Sequence, residues 1–167
     1  MEQKIQQKLV EIIRAGRVGA LGTIRHGAPV VSMVTYAPSQ DLSSFYILTS
    51  ELAQHTQDMQ KDKNVSLLIT ETDDGRDDPQ TLARVALRGY AGILPMGEPG
   101  YMPARELYLQ RLSQAGPLFE FGDFVLWRIS VKGGRFIAGF GKAFNLTAEA
   151  LAAASLGEHA DNTDGTD

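Results

Sequence analysis

Alternation between apolar and polar residues constrains the fold of this chain more than any other feature of its sequence. In residues 84–93, Val85 and Leu87 share one face of a strand, while Arg84 and Arg88 share the other. Shorter strand-like runs lie at residues 18–24, 28–38, 45–49, 65–70 and 124–131. Such runs are typical of half-buried antiparallel strands, so the sequence predicts a mainly β domain with two arginines on one side of a long strand.

Turn and helix signals separate these runs. Arg25-His26-Gly27 predicts a hairpin between the first two runs, and Lys132-Gly133-Gly134 predicts a second hairpin that joins residues 124–131 to residues 135–140. Apolar residues spaced by three and four predict an amphipathic helix over residues 3–15, which ends at Gly16. Further helices are predicted at about residues 51–61, with Ser50 as N-cap, and at residues 101–114 and 148–154.

Six to seven strands with helices at their ends predict an α+β, mainly β fold, and its simplest form is a small antiparallel barrel, closed or split. Periodicity alone is equally compatible with a sandwich. We expect a single domain over residues 1–154, followed by an acidic C-terminal tail, residues 155–167, that frays or docks through a specific contact.

Charge and composition exclude several classes of function. The chain has 16 Lys and Arg against 20 Asp and Glu, and the four excess acids lie in the tail at Glu158, Asp161, Asp164 and Asp167. The balanced remainder lacks the basic surface of a nucleic-acid binder. The chain has no cysteine, so disulfides, thiolate nucleophiles and Cys-ligated metals are excluded. Neither a membrane-length apolar run nor a signal peptide is recognisable, so we expect no membrane partner and a cytoplasmic location.

Three groups of polar residues are candidates for chemistry. His55 follows Thr49-Ser50 by about one helical turn, which makes this strand-to-helix junction either an anion site or an ordinary helix start. Arg84 and Arg88 can clamp a carboxylate or phosphate, although two arginines on a solvated strand face are also ordinary. Asp123 interrupts an apolar run and needs a partner, so it either caps a turn or orients an imidazole.

Four segments together resemble a known family. They are GALGTIRHGAPVVSMVTY, FYILTSELAQHTQDMQKDKNVSLLI, DDPQTLARVALRGYA and FGDFVLWRISVKGGRFIAGFGKAF, spread between about Val18 and Phe144. The chain resembles the flavin-mononucleotide-binding split barrels related to pyridoxamine 5′-phosphate oxidase, and within them the heme-utilisation branch of HutZ- and HugZ-like proteins. The resemblance implies a six-stranded split barrel that forms a homodimer, with small-molecule cofactor pockets built by both subunits.

The resemblance also implies roles for individual residues. Residues 49–56, which include Thr56, occupy the place where flavin-binding members hold the flavin phosphate. Gln54-His55 stands where those members typically have Arg-Lys, so we expect weaker flavin binding through the remaining Ser50, Thr56 and Arg88. Heme-binding relatives use a C-terminal histidine as axial ligand, held across the dimer by the aspartate of the DF motif. His159 and Asp123 match these two positions.

Three hypotheses follow from this resemblance. The first is a homodimeric heme-binding protein of heme utilisation or degradation, in which His159 ligates the iron and arginines such as Arg84 or Arg88 hold the propionates. The second is an FMN-dependent oxidoreductase whose isoalloxazine lies near Ser32 and Val34. The third is a cofactor-free dimer that serves as an interaction scaffold. If the protein is an enzyme, it is an oxidoreductase, either heme oxygenase-like or FMN-dependent.

Overall fold

A computed structural model describes the backbone of residues 1–161 and the side chains of residues 1–157, and over this part of the chain eight strands form one curled antiparallel sheet. The strands are β1 Val18–Arg25, β2 Ala28–Thr35, β3 Ala37–Pro38, β4 Ser44–Ser50, β5 Asn64–Thr70, β6 Arg84–Ile93, β7 Phe124–Ile137 and β8 Ala143–Thr147. Their order is β2-β1-β5-β6-β7-β4-β3, and β8 pairs with β7. The predicted mainly β split barrel is confirmed. The strand number exceeds the expected six because the short β3 and β8 also join the sheet.

The sheet curls so that its two ends lie on neighbouring segments of the chain. The path of strands begins on β2 and ends on β3, and only Tyr36 separates these strands in the sequence. Tyr36 is buried, and its hydroxyl donates a hydrogen bond to the Ile13 carbonyl at 2.8 Å. The chain itself therefore links the two ends of the sheet, as in a barrel rather than in a sandwich.

The first predicted hairpin is confirmed. β1 and β2 pair from Val18–Thr35 to Arg25–Ala28. The two residues between the strands, His26 and Gly27, have φ values of +52° and +80°, which is the conformation that a two-residue hairpin turn requires.

The second predicted hairpin is wrong. β7 runs without a break from Phe124 to Ile137, and β6 pairs with both of its halves instead of leaving them to pair with each other. The register shifts opposite Arg88 and Gly89, where Lys132 is the extra residue of a β-bulge. Gly134 permits this close pairing, because a Cβ there would lie 2.5 Å from the Ala86 carbonyl oxygen. The glycine pair therefore serves a bend within one strand rather than a chain reversal.

Within residues 1–161, four α-helices cover the sheet. They are α1 Gln3–Ala15, α2 Gln54–Lys61, α3 Tyr101–Arg111 and α4 Ala148–Asp161, with short 3-10 helices at Pro79–Thr81 and Ser113–Glu120. α1 buries Leu9 and Ile13 and contacts α4. α4 continues past the expected end at residue 154. α2 begins at Gln54 with Ala53 as its N-cap, because Ser50 accepts a bond from the Leu52 amide in a turn that precedes the helix.

Candidate functional site

Three hydroxyl-bearing residues meet where β4 passes into α2. The Thr56 Oγ1 lies 2.7 Å from both the Thr49 Oγ1 and the Ser50 carbonyl oxygen, and both threonines are buried. Because a carbonyl can only accept, the Thr56 hydrogen goes to Ser50 and the Thr49 hydroxyl supplies the other bond. These two hydroxyls bond to the protein itself, and they hold the start of α2 against the end of β4.

Ser50 and Asp123 lie side by side at the same end of the barrel. The Glu51 amide donates to the Asp123 carbonyl at 2.7 Å, and the Ser50 Oγ lies 3.4 Å from the Asp123 Oδ2. The Asp123 carboxylate is exposed to solvent, as are the nearby apolar side chains of Leu52 and Phe121. An accessible carboxylate with only a long serine contact can still accept a hydrogen bond from an imidazole.

His55 lies half-buried on the first turn of α2. Burial lowers the pKa of this imidazole below its usual 6.5, and the negative charge of Asp58 opposes that shift only in part. The side chain is therefore mostly neutral at pH 7. A neutral imidazole here supplies no positive charge for a phosphate dianion.

Asp58 is the centre of a buried polar cluster that the sequence analysis did not identify. Its carboxylate accepts bonds from Arg25 Nε at 3.2 Å and Arg25 Nη2 at 3.1 Å, from the Thr23 hydroxyl at 3.1 Å and from the Gln54 amide at 3.4 Å. The hydrogen bonds from Arg25 lower the pKa of Asp58 most, and those from Thr23 and Gln54 lower it further. Burial acts in the opposite direction, but the pKa stays below its usual value. The cluster fastens α2, and with it His55, to β1.

The two arginines on the outer face of β6 have different surroundings. The Arg84 guanidinium donates to the carbonyls of Gln80 and Leu82, each at 3.0 Å, and borders a groove of about 770 Å³ that also contains acidic side chains. Arg88 is exposed and lines a separate cleft. The two side chains thus line different cavities rather than a common one.

We call the second cavity the Arg88 cleft. It has a volume of about 390 Å³ and lies on the outer face of the sheet, where β1, β5, β6 and β7 run side by side. Ile24, Pro29 and Tyr90 give it an apolar lining, and Arg88 and Lys132 are its charged residues. The Lys132 Nζ lies 5.4 Å from the centre of the Tyr90 ring. The cleft therefore suits an apolar ligand that carries negative charge.

The Arg88 cleft and the Asp123 carboxylate are far apart within one chain. Asp123 precedes the first residue of β7, whereas Arg88 pairs with Gly133 in its second half. About nine residues separate these positions, which is on the order of 30 Å of extended strand. A single copy of the chain does not bring the two groups together.

The predicted iron ligand falls outside the described side chains. The backbone of His159 belongs to α4, but its side chain lies beyond residues 1–157, so its role stays a prediction. Within the described side chains, no three His, Asp or Glu residues cluster as a metal site would require. None of the helices in the described residues combines the length and the apolar character needed to cross a bilayer.

Comparison with known proteins places these features in context. The family model described as CREG, beta-barrel matches residues 5–152. Heme oxygenase HutZ of Vibrio cholerae serotype O1 is 24% identical over 160 residues, which are 90% of this chain and 86% of that protein. The chloroplastic non-canonical heme oxygenase HOZ of Arabidopsis thaliana is 30% identical over 141 residues, which are 83% of this chain but only 41% of that protein.

A solved structure of a heme-binding protein has a similar fold. The heme-binding protein of Mycobacterium smegmatis superposes with a TM-score of 0.79 at 29% identity, covering 89% of this chain and 60% of that one. The chain thus spans less than two thirds of the mycobacterial and plant proteins. The resemblance to split barrels of heme utilisation is confirmed.

Proposed function

This chain belongs to the CREG β-barrel family, and on that premise we propose that it is a heme-binding protein of heme utilisation or degradation, with its cofactor pocket between two copies of the chain. The observation that carries the proposal is the Arg88 cleft, which combines an apolar lining with two cations.

The residues of the cleft fit the chemistry of heme. Heme has a flat apolar ring and two carboxylate side chains, and the cleft offers Ile24, Pro29 and Tyr90 to the ring and Arg88 and Lys132 to the carboxylates. Bound heme would supply the oxygen and electron chemistry of an oxidoreductase. Arg88 and Lys132 would hold the carboxylates, and the apolar residues of the cleft would shield the ring from water.

We further propose that His159 ligates the iron and that the Asp123 of a second copy accepts a hydrogen bond from its ring. A histidine that holds a metal would need its other ring N–H satisfied, which fixes the tautomer. Asp123 supports this role because its carboxylate is exposed and its Oδ2 lies as far as 3.4 Å from the Ser50 Oγ. Since Asp123 lies far from the Arg88 cleft of its own chain, this arrangement requires the second copy.

The outer face of the sheet supports a homodimer. Cross-strand pairing places Met33, Ala20 and Leu68 in one row of this face and Val31 and Gly22 in the next. Val31 is 70% and Met33 71% exposed. The second row continues across β5 to Arg88, because Gly22 pairs with Ser66 and Ser66 pairs with Arg88. An apolar face of this kind favours association, and a second copy that covers it would also border the cleft. A cytoplasmic location stays a prediction from the sequence.

The junction between β4 and α2 argues against the flavin hypothesis. Thr49 and Thr56 bond to each other, and His55 is mostly neutral at pH 7. A flavin phosphate would thus find little positive charge there.

Titration of the full chain with hemin tests the proposal. We expect a Soret band whose absorbance saturates at one heme per chain. When His159→Ala is fully loaded with hemin, its Soret maximum should differ in wavelength from that of the wild type. Arg88→Gln should weaken hemin binding roughly fivefold through the loss of one solvent-exposed charge pair. Arg84→Gln is the matched control and should bind hemin as the wild type does, because Arg84 is bonded to backbone carbonyls.

Other outcomes would contradict the proposal. Flavin bands that survive gel filtration, without saturable hemin binding, would favour the FMN-dependent oxidoreductase. If neither hemin nor FMN binds at micromolar concentration, the cofactor-free dimer becomes the better account.

A further inference from the structure

We propose that Lys132 is a specificity-determining residue of the Arg88 cleft, which the β7 bulge positions to bind a carboxylate of the ligand. Together with Arg88 it makes the cleft selective for an apolar ligand with two carboxylates over one with fewer. This inference rests on the proposed function and names a second cation for the same site.

The bulge explains why Lys132 reaches the cleft. Gly89 pairs with Val131 and Arg88 pairs with Gly133, so the ladder skips Lys132. An extra residue in a strand bends the backbone locally and redirects its side chain. Lys132 is exposed on the outer face, on the same side of the sheet as Arg88.

Glycines on both strands make the bulge possible. A Cβ at Gly89 would collide with the backbone carbonyl of Ser130, and one at Gly133 would lie 2.9 Å from the Leu146 carbonyl oxygen. The three strands β6, β7 and β8 therefore approach more closely here than side chains would permit. The position of Lys132 is thus built into the backbone of the sheet.

Tyr90 orients the lysine side chain. The ammonium lies 5.4 Å from the centre of the Tyr90 ring, within the range of a cation–π contact. This contact holds the charge over the cleft and leaves the ammonium hydrogens available to an anion.

The charge balance of the cleft indicates an anionic ligand. Its described lining contains two cations, Arg88 and Lys132, and no carboxylate, although the chain as a whole carries a net charge of −4. Two uncompensated cations beside an apolar surface suit two separate anionic groups on one apolar body.

Hemin and hemin dimethyl ester, compared as ligands of the full chain, test the inference. The ester keeps the ring and iron but has no free carboxylate. We expect Lys132→Gln to weaken hemin binding roughly fivefold and to leave binding of the ester unchanged. Lys132→Arg should retain most of the hemin affinity. Lys142→Gln, a matched change at an exposed position outside the cleft, should have no effect.

The outcomes separate this inference from the proposed function. If the wild type does not bind hemin, the proposed function fails and the inference fails with it. If the wild type binds hemin and Lys132→Gln binds it equally well, only the inference is overturned. Equal losses for hemin and its ester would also overturn it, because Lys132 would then contact the ring or the second copy rather than a carboxylate.

Discussion

Replacing Asp58 with asparagine should lower the free energy of unfolding by about 2 kcal/mol. The change removes the charge that accepts two hydrogen bonds from Arg25, at 3.2 and 3.1 Å. Losing one member of a fully buried ion pair costs about 3–5 kcal/mol, but the Arg25 side chain is about one third exposed and can turn to water. The new amide oxygen can still accept from Thr23, so we expect the smaller value.

The effect should depend on pH with a definite sign. Arg25 and the other donors hold the pKa of Asp58 below its usual 3.8 in the folded chain. A carboxylate whose pKa is lowered by folding stabilises the fold above its unfolded pKa, and this contribution is lost as the pH falls through the folded pKa. The difference between the wild type and Asp58→Asn should be full at pH 7 and should shrink below about pH 4.

Urea and thermal unfolding measure this difference. For a chain of this length, 2 kcal/mol corresponds to a fall in Tm of roughly 4–8 °C. Asp77→Asn is the matched control, because Asp77 lies exposed in the loop between β5 and β6, and its effect should stay within about 0.5 kcal/mol. The reasoning is refuted if Asp58→Asn is as stable as Asp77→Asn at pH 7, or if its deficit persists unchanged in acid.

Two further substitutions test the junction and the outer face. Thr56→Val should destabilise the fold by about 2 kcal/mol in thermal melts, because the Thr49 hydroxyl and the Ser50 carbonyl lose a buried partner. Thr72→Val, in an exposed loop, is the control and should leave the stability unchanged. Met33→Glu should shift the chain from dimer to monomer in sedimentation velocity while its far-UV circular dichroism stays that of the folded wild type, since a charge would enter the proposed interface. Met96→Glu, at a position that is 77% exposed, should remain dimeric, and equal behaviour of the two variants would contradict the proposed interface.

Local pattern was sufficient to predict much of the sheet. The β1–β2 hairpin was predictable because a two-residue turn with glycine determines the pairing of the strands beside it. The alternation in β6 likewise predicted which residues are buried, with Val85 and Leu87 inside and Arg88 outside. Both features depend on residues close together in the sequence.

The rest depended on contacts between distant segments. Gly133-Gly134 has the composition of a turn, and only its pairing with β6 makes it part of a continuous strand. For the same reason the position of Lys132 in the cleft was not predictable from the sequence. Asp58 can be buried because Arg25, which lies 33 residues earlier at the end of β1, donates two hydrogen bonds to its carboxylate. Neither residue has a local signal for its role.

Sedimentation equilibrium of the full chain with hemin, followed at the Soret wavelength, tests the central claim most directly. A heme pocket shared by two copies predicts that the Soret absorbance sediments as one species with twice the 18.2 kDa mass of the chain. Soret absorbance that sediments with a single chain would contradict the shared pocket.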